Sequence, residues 1–397
     1  MSTPTISSLA FLTPGNFADD DPRTGLEETL RLFGYGERLG YDGAWIRQRH
    51  LEHGVGSAAV FLAAAGQRTE RIELGTAVIP IGYESPFRLA EDLALADVLS
   101  AGRLQVGFST GMPHADLLGD LVHDGDWRGL DLSYGRIARV VENLRGDYLG
   151  GPDTVIHSPG NVQRPRLQPH NPGLARRIWY GGGSLRSVRW AAGQGLALLS
   201  GNIVTGEGTD DFTTAQLGLL TEYRRSLPAG RATRVALGRV IVPLDGADAR
   251  TRARYRAYAA SRHERTLGPR GPRRTLFAPD VVGTAEQILE RLAADPVLAE
   301  VSELRLELPY EFHREEYEQI LHDVRHLVAP ELGWRPAAGG PAPAAAAPGT
   351  AGRGSGGPPA PAAQDVQRAA AGAAYWSAPR HRVEPEPRAA GADRSEP

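Results

Sequence analysis

The 397-residue chain contains no cysteine, and its 44 basic residues are all arginine because no lysine occurs. The first absence excludes disulfides, thiolate zinc, iron–sulfur ligation and a cysteine nucleophile. The second excludes a pyridoxal Schiff base and the lysine-bearing phosphate loops of P-loop NTPases and kinases. A large excess of either charge is also lacking, with 44 basic against 47 acidic residues. Nucleic acid and anionic membrane surfaces are therefore not expected partners. The most apolar stretch, Ala58–Ala65, is far shorter than the ~20 residues that span a bilayer. The opening MSTPTISSLAFL has no basic start and too short an apolar run for a signal peptide, so a soluble cytoplasmic protein is expected.

What is present is a repeated alternation of strand and helix. Its clearest unit is Arg71–Gly111. Arg71–Pro80 is β-branched and apolar, and from Pro86 the apolar period becomes helical through Phe87, Leu89, Ala90, Leu93, Ala96 and Leu99. Ala101-Gly102 ends that helix and Arg103–Phe108 begins the next extended run. Two apolar strands joined by a helical crossover pair in parallel within one sheet.

Before this unit, Ile6–Phe11 and Asp42–Ile46 read as strands, followed by helices near 24–39 and 57–67. After it, strands are expected at Arg177–Tyr180, Leu196–Ser200, Val235–Pro243 and Glu303–Leu308, each with a helix downstream. About eight such repeats are the signature of an α/β chain closed as a (β/α)8 TIM barrel, with a doubly wound open sheet as rival. Loops 112–131 and 150–175 read as insertions, and 263–279, dense in Arg, Pro and Gly, as a mobile flap. The barrel domain is placed at 1–335. Residues 336–397 hold mostly Ala, Pro and Gly, too little apolar bulk for a core, and are expected to be a disordered tail.

In a closed barrel, functional groups gather where strands end. Those ends carry His50, Ala77-Val78, Ser109-Thr110, Gly181–Ser184 and Asn202. The set is poor in carboxylates, which argues against paired-acid hydrolysis. Gly181-Gly182-Gly183-Ser184 leads from a strand into a helix, where converging N–H groups and the helix dipole suit a phosphate, although a plain tight turn reads the same way. It is no dinucleotide fingerprint, since the third glycine would fall at Arg186. Gly107–Gly111 matches the serine-hydrolase pattern G-x-S-x-G, but Gly111-Met112-Pro113 does not start the helix that this elbow needs. His322 and His326 have helical i, i+4 spacing without the glutamate of a zinc motif, so no metal site is expected. His50 emerges at a strand end beside Arg49 and can exchange a proton near neutral pH, or simply bond a loop carbonyl.

The run PFRLAEDLALADVLSAGRLQVGFSTG resembles the hallmark of the luciferase-like flavin monooxygenases: Ala-Glu, a later Asp, then Ser-x-Gly-Arg and a glycine-bearing strand. Gly40–Trp45, Leu74–Ala77 and Trp190–Gly195 resemble the same family in order and spacing, over about residues 6–332. The resemblance implies a barrel that uses reduced FMN and dioxygen on a small organic substrate, or in one branch the deazaflavin F420. It implies a separate flavin reductase and pairing as a homodimer through the helices after strands two and three. A non-catalytic partner subunit is a further possibility.

Residue by residue, Gln48-Arg49-His50 takes the place of the family's Glu-His-His triplet, with Arg49 in the catalytic position and His50 the surviving histidine. The resemblance assigns proton management to His50 with Arg49. Ser109, Thr110 and Met112 stand in the phosphate loop after strand four, with Thr110 in place of an arginine. Gly183, Ser184 and Ser187 match the second phosphate cluster, and Ala77-Val78 the family's non-prolyl cis peptide. Arg270, Arg273 or Arg274 would supply the phosphate charge missing at Thr110.

Overall fold

The computed structural model describes residues 4–232 and 234–336. Eight strands close into a barrel: β1 (Ser8–Thr13), β2 (Gly43–Ile46), β3 (Glu73–Pro80), β4 (Leu104–Ser109), β5 (Ile178–Gly181), β6 (Ala197–Ser200), β7 (Val235–Arg239) and β8 (Glu303–Glu307). Every neighbouring pair is parallel, and β8 returns to β1 with Leu306 opposite Phe11. Closure settles the open-sheet alternative. The tail expected at 336–397 lies outside the described residues apart from Pro336.

The main helices are α1 (Pro22–Leu39), α2 (Ala58–Gly66), α3 (Pro86–Leu99), α4 (Tyr134–Arg145), α5 (Leu185–Gly193), α6 (Phe212–Arg225), α7 (Ala285–Ala293) and α8 (Arg314–Asp323). Local chemistry fixes their ends. Asp21 accepts from the Thr24 N–H at 3.2 Å ahead of Pro22, and Gly40 closes α1 with φ 87°. Thr284 with Gln287 forms a reciprocal cap at α7.

The barrel separates two apolar regions. Between sheet and helices lies the large core that contains Phe11, Leu74, Val106, Leu198, Leu237 and Leu306. Inside the barrel a smaller cluster holds Leu12, Trp45, Ala77, Trp179, Leu199 and Ala236. Strand β8 shows the sorting: Leu304 and Leu306 join the outer core, while Arg305 lies against Trp45 in the lumen. Alternation with period two puts Glu303, Arg305 and Glu307 on that inner face.

Asp97 of α3 is completely buried. It accepts from Arg177 Nη1 and Nη2 at 2.8 Å each, from the Leu104 N–H at 3.0 Å and from Asn171 Nδ2 at 2.5 Å. One carboxylate therefore ties α3 to the starts of β4 and β5, which gives the later Asp of the family hallmark a physical role.

Several boundaries differ from the sequence reading. Val235–Pro243 is not one strand: β7 ends at Arg239, and Ile241–Pro243 leaves the barrel to pair with Val281–Gly283. The 112–131 insertion contains a helix, Ala115–Val122, and 150–175 contains the exposed hairpin Ile156–Ser158 with Asn161–Gln163. Within 263–279, Thr275–Phe277 pairs antiparallel with Ile203–Thr205.

Candidate active site

Of the expected site residues, Arg49 and His50 follow β2, Ser109 ends β4 with Thr110 and Met112 beyond it, and Gly183 and Ser184 follow β5. Ala77-Val78 lies within β3, Ser187 within α5, Asn202 just after β6, and Arg270, Arg273 and Arg274 in the 263–279 segment. The peptide between Ala77 and Val78 is cis, at the register shift between Thr76 and Ile79 in the β3–β4 pairing. Val78 sits against two glycines, Gly107 of the adjacent β4 and Gly181 of β5 beyond it. A Cβ at Gly181 would lie 3.1 Å from Val78 Cγ1, and one at Gly107 would lie 3.3 Å from it and 2.4 Å from the Thr76 carbonyl. Glycine at 107 is thus required by close backbone approach.

Beyond β2, the chain turns into a polar cluster. Gln48 is buried; its Nε2 donates to Glu84 Oε1 at 2.7 Å and lies 3.2 Å from His50 Nε2. Gln48 Oε1 accepts the Ala58 N–H at 3.1 Å, which fixes the amide orientation. His50 Nε2 therefore faces a donor, and the neutral ring with its proton on Nδ1 is the tautomer that fits. Burial lowers the His50 pKa and, first among its causes, raises that of Glu84. The imidazole lies edge-on to Tyr83 at 5.1 Å, and Tyr83 Oη donates to the Pro113 carbonyl at 2.5 Å. Met112 packs on Gly82, where a Cβ would fall 2.5 Å from its Sδ. His50, Tyr83 and Met112 so form one wall.

Arg49 points elsewhere. Its Nη2 donates to Tyr310 Oη at 2.5 Å, and Arg47 lies over the same ring at 5.3 Å. Tyr310 lines a cavity of about 440 Å³ that also includes Thr13, Phe17, Leu32, Phe312 and Tyr317. Neither His50 nor Arg49 is among its lining residues. Next to it Arg47 Nη2 donates to Glu307 Oε2 at 2.9 Å, with Arg305 close by in the lumen.

The third group is the turn from β5 into α5. Ser184 Oγ accepts the Ser187 N–H at 3.3 Å, and Ser187 Oγ accepts the Ser184 N–H at 3.1 Å, a reciprocal cap. The next amide, Leu185 N–H, donates to Glu207 Oε2 at 2.5 Å. The loop bearing Glu207 is anchored by the Thr205 N–H on the Gly183 carbonyl at 2.7 Å and by Arg274 Nε on the Gly206 carbonyl at 3.1 Å. Arg274 also pairs with Asp210, and Arg270 with Glu264. Thr110 Oγ1 lies 3.5 Å from Tyr180 Oη. Ser109 ends β4, and the following residues to Pro113 are not helical, so the hydrolase elbow is not formed.

A family profile described as luciferase-like monooxygenase matches residues 7–303. The chain belongs to the luciferase-like monooxygenase family. Limonene 1,2-monooxygenase of Rhodococcus erythropolis is 32% identical over 188 residues, 44% of this chain and 48% of that protein. The chain thus spans about half the length of this curated relative. The oxygenating constituent of 3,6-diketocamphane monooxygenase from Pseudomonas putida, solved with FMN, superposes with TM-score 0.56 at 12% identity, over 82% of this chain and 98% of that one. An F420-dependent secondary alcohol dehydrogenase superposes with TM-score 0.54 at 13% identity, over 83% and 99%. Of these two structural neighbours, one was solved with FMN and the other is described as F420-dependent.

Sequence reasoning missed Glu84, Glu207, Glu307 and Tyr310. Only Glu307 left a signal, the charged i, i+2, i+4 pattern Glu303, Arg305, Glu307 within an otherwise leucine-rich strand.

Proposed function

We propose that this chain is a monooxygenase that takes reduced FMN from a separate reductase and uses dioxygen to oxidise a small, apolar organic substrate. The observation that carries the reading is the oxyanion grip at α5. The Ser184 hydroxyl, whose oxygen accepts the Ser187 N–H, stands next in the chain to the Leu185 N–H, which already donates to the Glu207 carboxylate at 2.5 Å. The Ser187 hydroxyl donates inward to the Ser184 carbonyl at 2.8 Å and fixes the turn. The Glu207 oxygen stands in for a phosphate oxygen, so the donor set fits the phosphate of FMN. Gly183 adds room, because a Cβ there would meet nothing nearer than the Ile203 carbonyl at 3.5 Å.

Reduced flavin, when bound, supplies the two electrons with which one oxygen atom enters the substrate and the other leaves as water. The chain's own residues position and protect that chemistry. Val78 against Gly107 and Gly181 forms a floor narrow enough for a flat ring system. His50, kept neutral by burial, offers a proton-exchanging ring held by Gln48. Ser109, Thr110 and Met112 stand at and beyond the end of β4, the strand that carries Gly107. Arg49, through Tyr310, borders the cavity assigned to the substrate, whose lining mixes Phe17, Leu32 and Phe312 with Asp21, Glu28 and Arg314.

A second copy of the chain is the natural partner: Phe87, Leu95, Val98 and Leu99 of α3, with Val60 of α2, are exposed together. No helix among the described residues is long and apolar enough to cross a membrane; a cytoplasmic location is proposed with the same reading.

Transfer of hydride from F420 on the same barrel is the second reading. It is favoured by Thr110, which offers the FMN phosphate no cation. Turnover of candidate substrates with each reduced cofactor, under air and under nitrogen, separates the two. Oxygen-dependent product with FMN supports the monooxygenase; oxygen-independent product with F420 replaces it.

A further inference from the structure

The opposite end of the barrel holds a second cavity, unrelated to the candidate active site. It occupies about 170 Å³ and is lined by Gln105, Arg176, Arg177, Trp179, Gly195, Ala197, Arg231, Ala232 and Arg234. These residues come from the N-terminal ends of β4, β5, β6 and β7, whereas His50, Thr110 and Ser184 follow C-terminal ends. The lining includes four arginines and no carboxylate.

Two of the arginines are fixed from behind. Arg177 is clamped by Asp97 at 2.8 Å, and Arg234 is held by Glu303 at 2.7 Å and Glu73 at 3.1 Å. Arg234 also lies over the Trp179 ring at 4.8 Å, which seals the cavity from the lumen. The other two, Arg176 and Arg231, have no acidic partner among the described residues. Four cations against Asp97, Glu73 and Glu303 leave one positive charge in excess, on the side facing the cavity.

The backbone makes room for Arg231. A Cβ at Gly195 would lie 2.4 Å from Arg231 Cζ, so the guanidinium rests directly on the peptide at that point. Gly195 has φ +66°, a conformation that glycine adopts without strain. Any larger residue would push Arg231 out of the cavity.

We propose that this cavity binds a phosphate-sized oxyanion, free or as the phosphoryl end of a small metabolite. A planar guanidinium fork pairs with such an oxyanion through two parallel hydrogen bonds. The volume equals that of roughly five to six waters, room for one phosphoryl group with a short carbon chain. Arg231 and Arg176 grip the anion. Arg177 and Arg234 are walls that contribute field, because their donors are already committed to carboxylates.

The test is calorimetric titration of the full-length protein with inorganic phosphate and with glycerol 3-phosphate, at constant ionic strength in chloride. Saturable binding is expected in the wild type. The double variant R176Q/R231Q weakens it about ten-fold or more, while R256Q, an exposed arginine elsewhere, leaves it unchanged. Tighter phosphate identifies the free ion, tighter glycerol phosphate a phosphorylated metabolite, and either supports the site. Because the α5 turn also suits a phosphate, Ser184→Ala is the control: binding lost there but kept in R176Q/R231Q overturns the proposal. So does absence of binding in the wild type, or equal loss in R256Q. FMN titration of R176Q/R231Q keeps this test apart from the flavin reading, since it should match the wild type.

Discussion

Glu207 reaches from the loop after β6 to the first turn of α5, where its Oε2 accepts the Leu185 N–H at 2.5 Å. The protein therefore caps with its own carboxylate the amide that a cofactor phosphate would use. Two anions cannot share one donor, so phosphate entry displaces Glu207 or shares the site at a repulsive cost. Glu207→Gln removes that competing charge and keeps the side chain's size. Its affinity for FMN should rise about three- to ten-fold at low salt, while that for riboflavin, which lacks the phosphate, stays constant. Parallel fluorescence titrations with the two flavins check this; an equal change for both would locate the effect elsewhere.

The His50 ring is held neutral by burial, with its pKa below the ordinary histidine value. The folded state therefore binds a proton less readily than the unfolded chain. This contribution to stability is fully present above about pH 6.5 and is lost as pH falls through the lower folded pKa. Unfolding free energies of the wild type and His50→Gln, measured from about pH 7.5 down to about pH 5, should converge or cross as the pH drops. Parallel curves across that range would show that His50 is not held neutral.

In the lumen, Glu307 answers two cations. It accepts from Arg47 at 2.9 Å, and Arg305 is nearby, 3% exposed, with Nε and Nη1 lacking any partner among the described residues. Burial pushes the Arg305 pKa down to about 10. Removing the carboxylate leaves Arg47 without its ion-pair partner and Arg305 with Glu303 as its remaining acidic neighbour. Glu307→Leu should cost about 3 kcal/mol of stability, and adding Arg305→Met should restore at least half of it. Urea denaturation of the three proteins measures the difference.

The barrel was readable because its signals are local. Strand residues such as Leu74–Ile79 are apolar and β-branched, and α3 shows its period through Leu89, Ala90, Leu93 and Ala96. Family motifs then placed the cis peptide at Ala77-Val78, where the structure has it. The limit is reached at contacts between distant loops. Nothing in the sequence near Glu207 or Leu185 says that they meet, since they are brought together by Ile203–Thr205 pairing with Thr275–Phe277. Glu84 reads as the polar residue before Ser85-Pro86; its role depends on Gln48, thirty-six positions away. The exit of the chain from β7 at Arg239 was equally hidden, because Val240–Pro243 is as apolar as the strand before it.

The central claim is that the β5–α5 turn grips the phosphate of a reduced flavin. Anaerobic titration of reduced FMN, followed by quenching of tryptophan fluorescence, tests it in the wild type and in Ser184→Ala/Ser187→Ala. The account predicts saturable binding to the wild type, and at least about ten-fold weaker binding to a variant that still unfolds cooperatively. Equal affinity in the two proteins, or no binding of reduced FMN by the wild type, would contradict it.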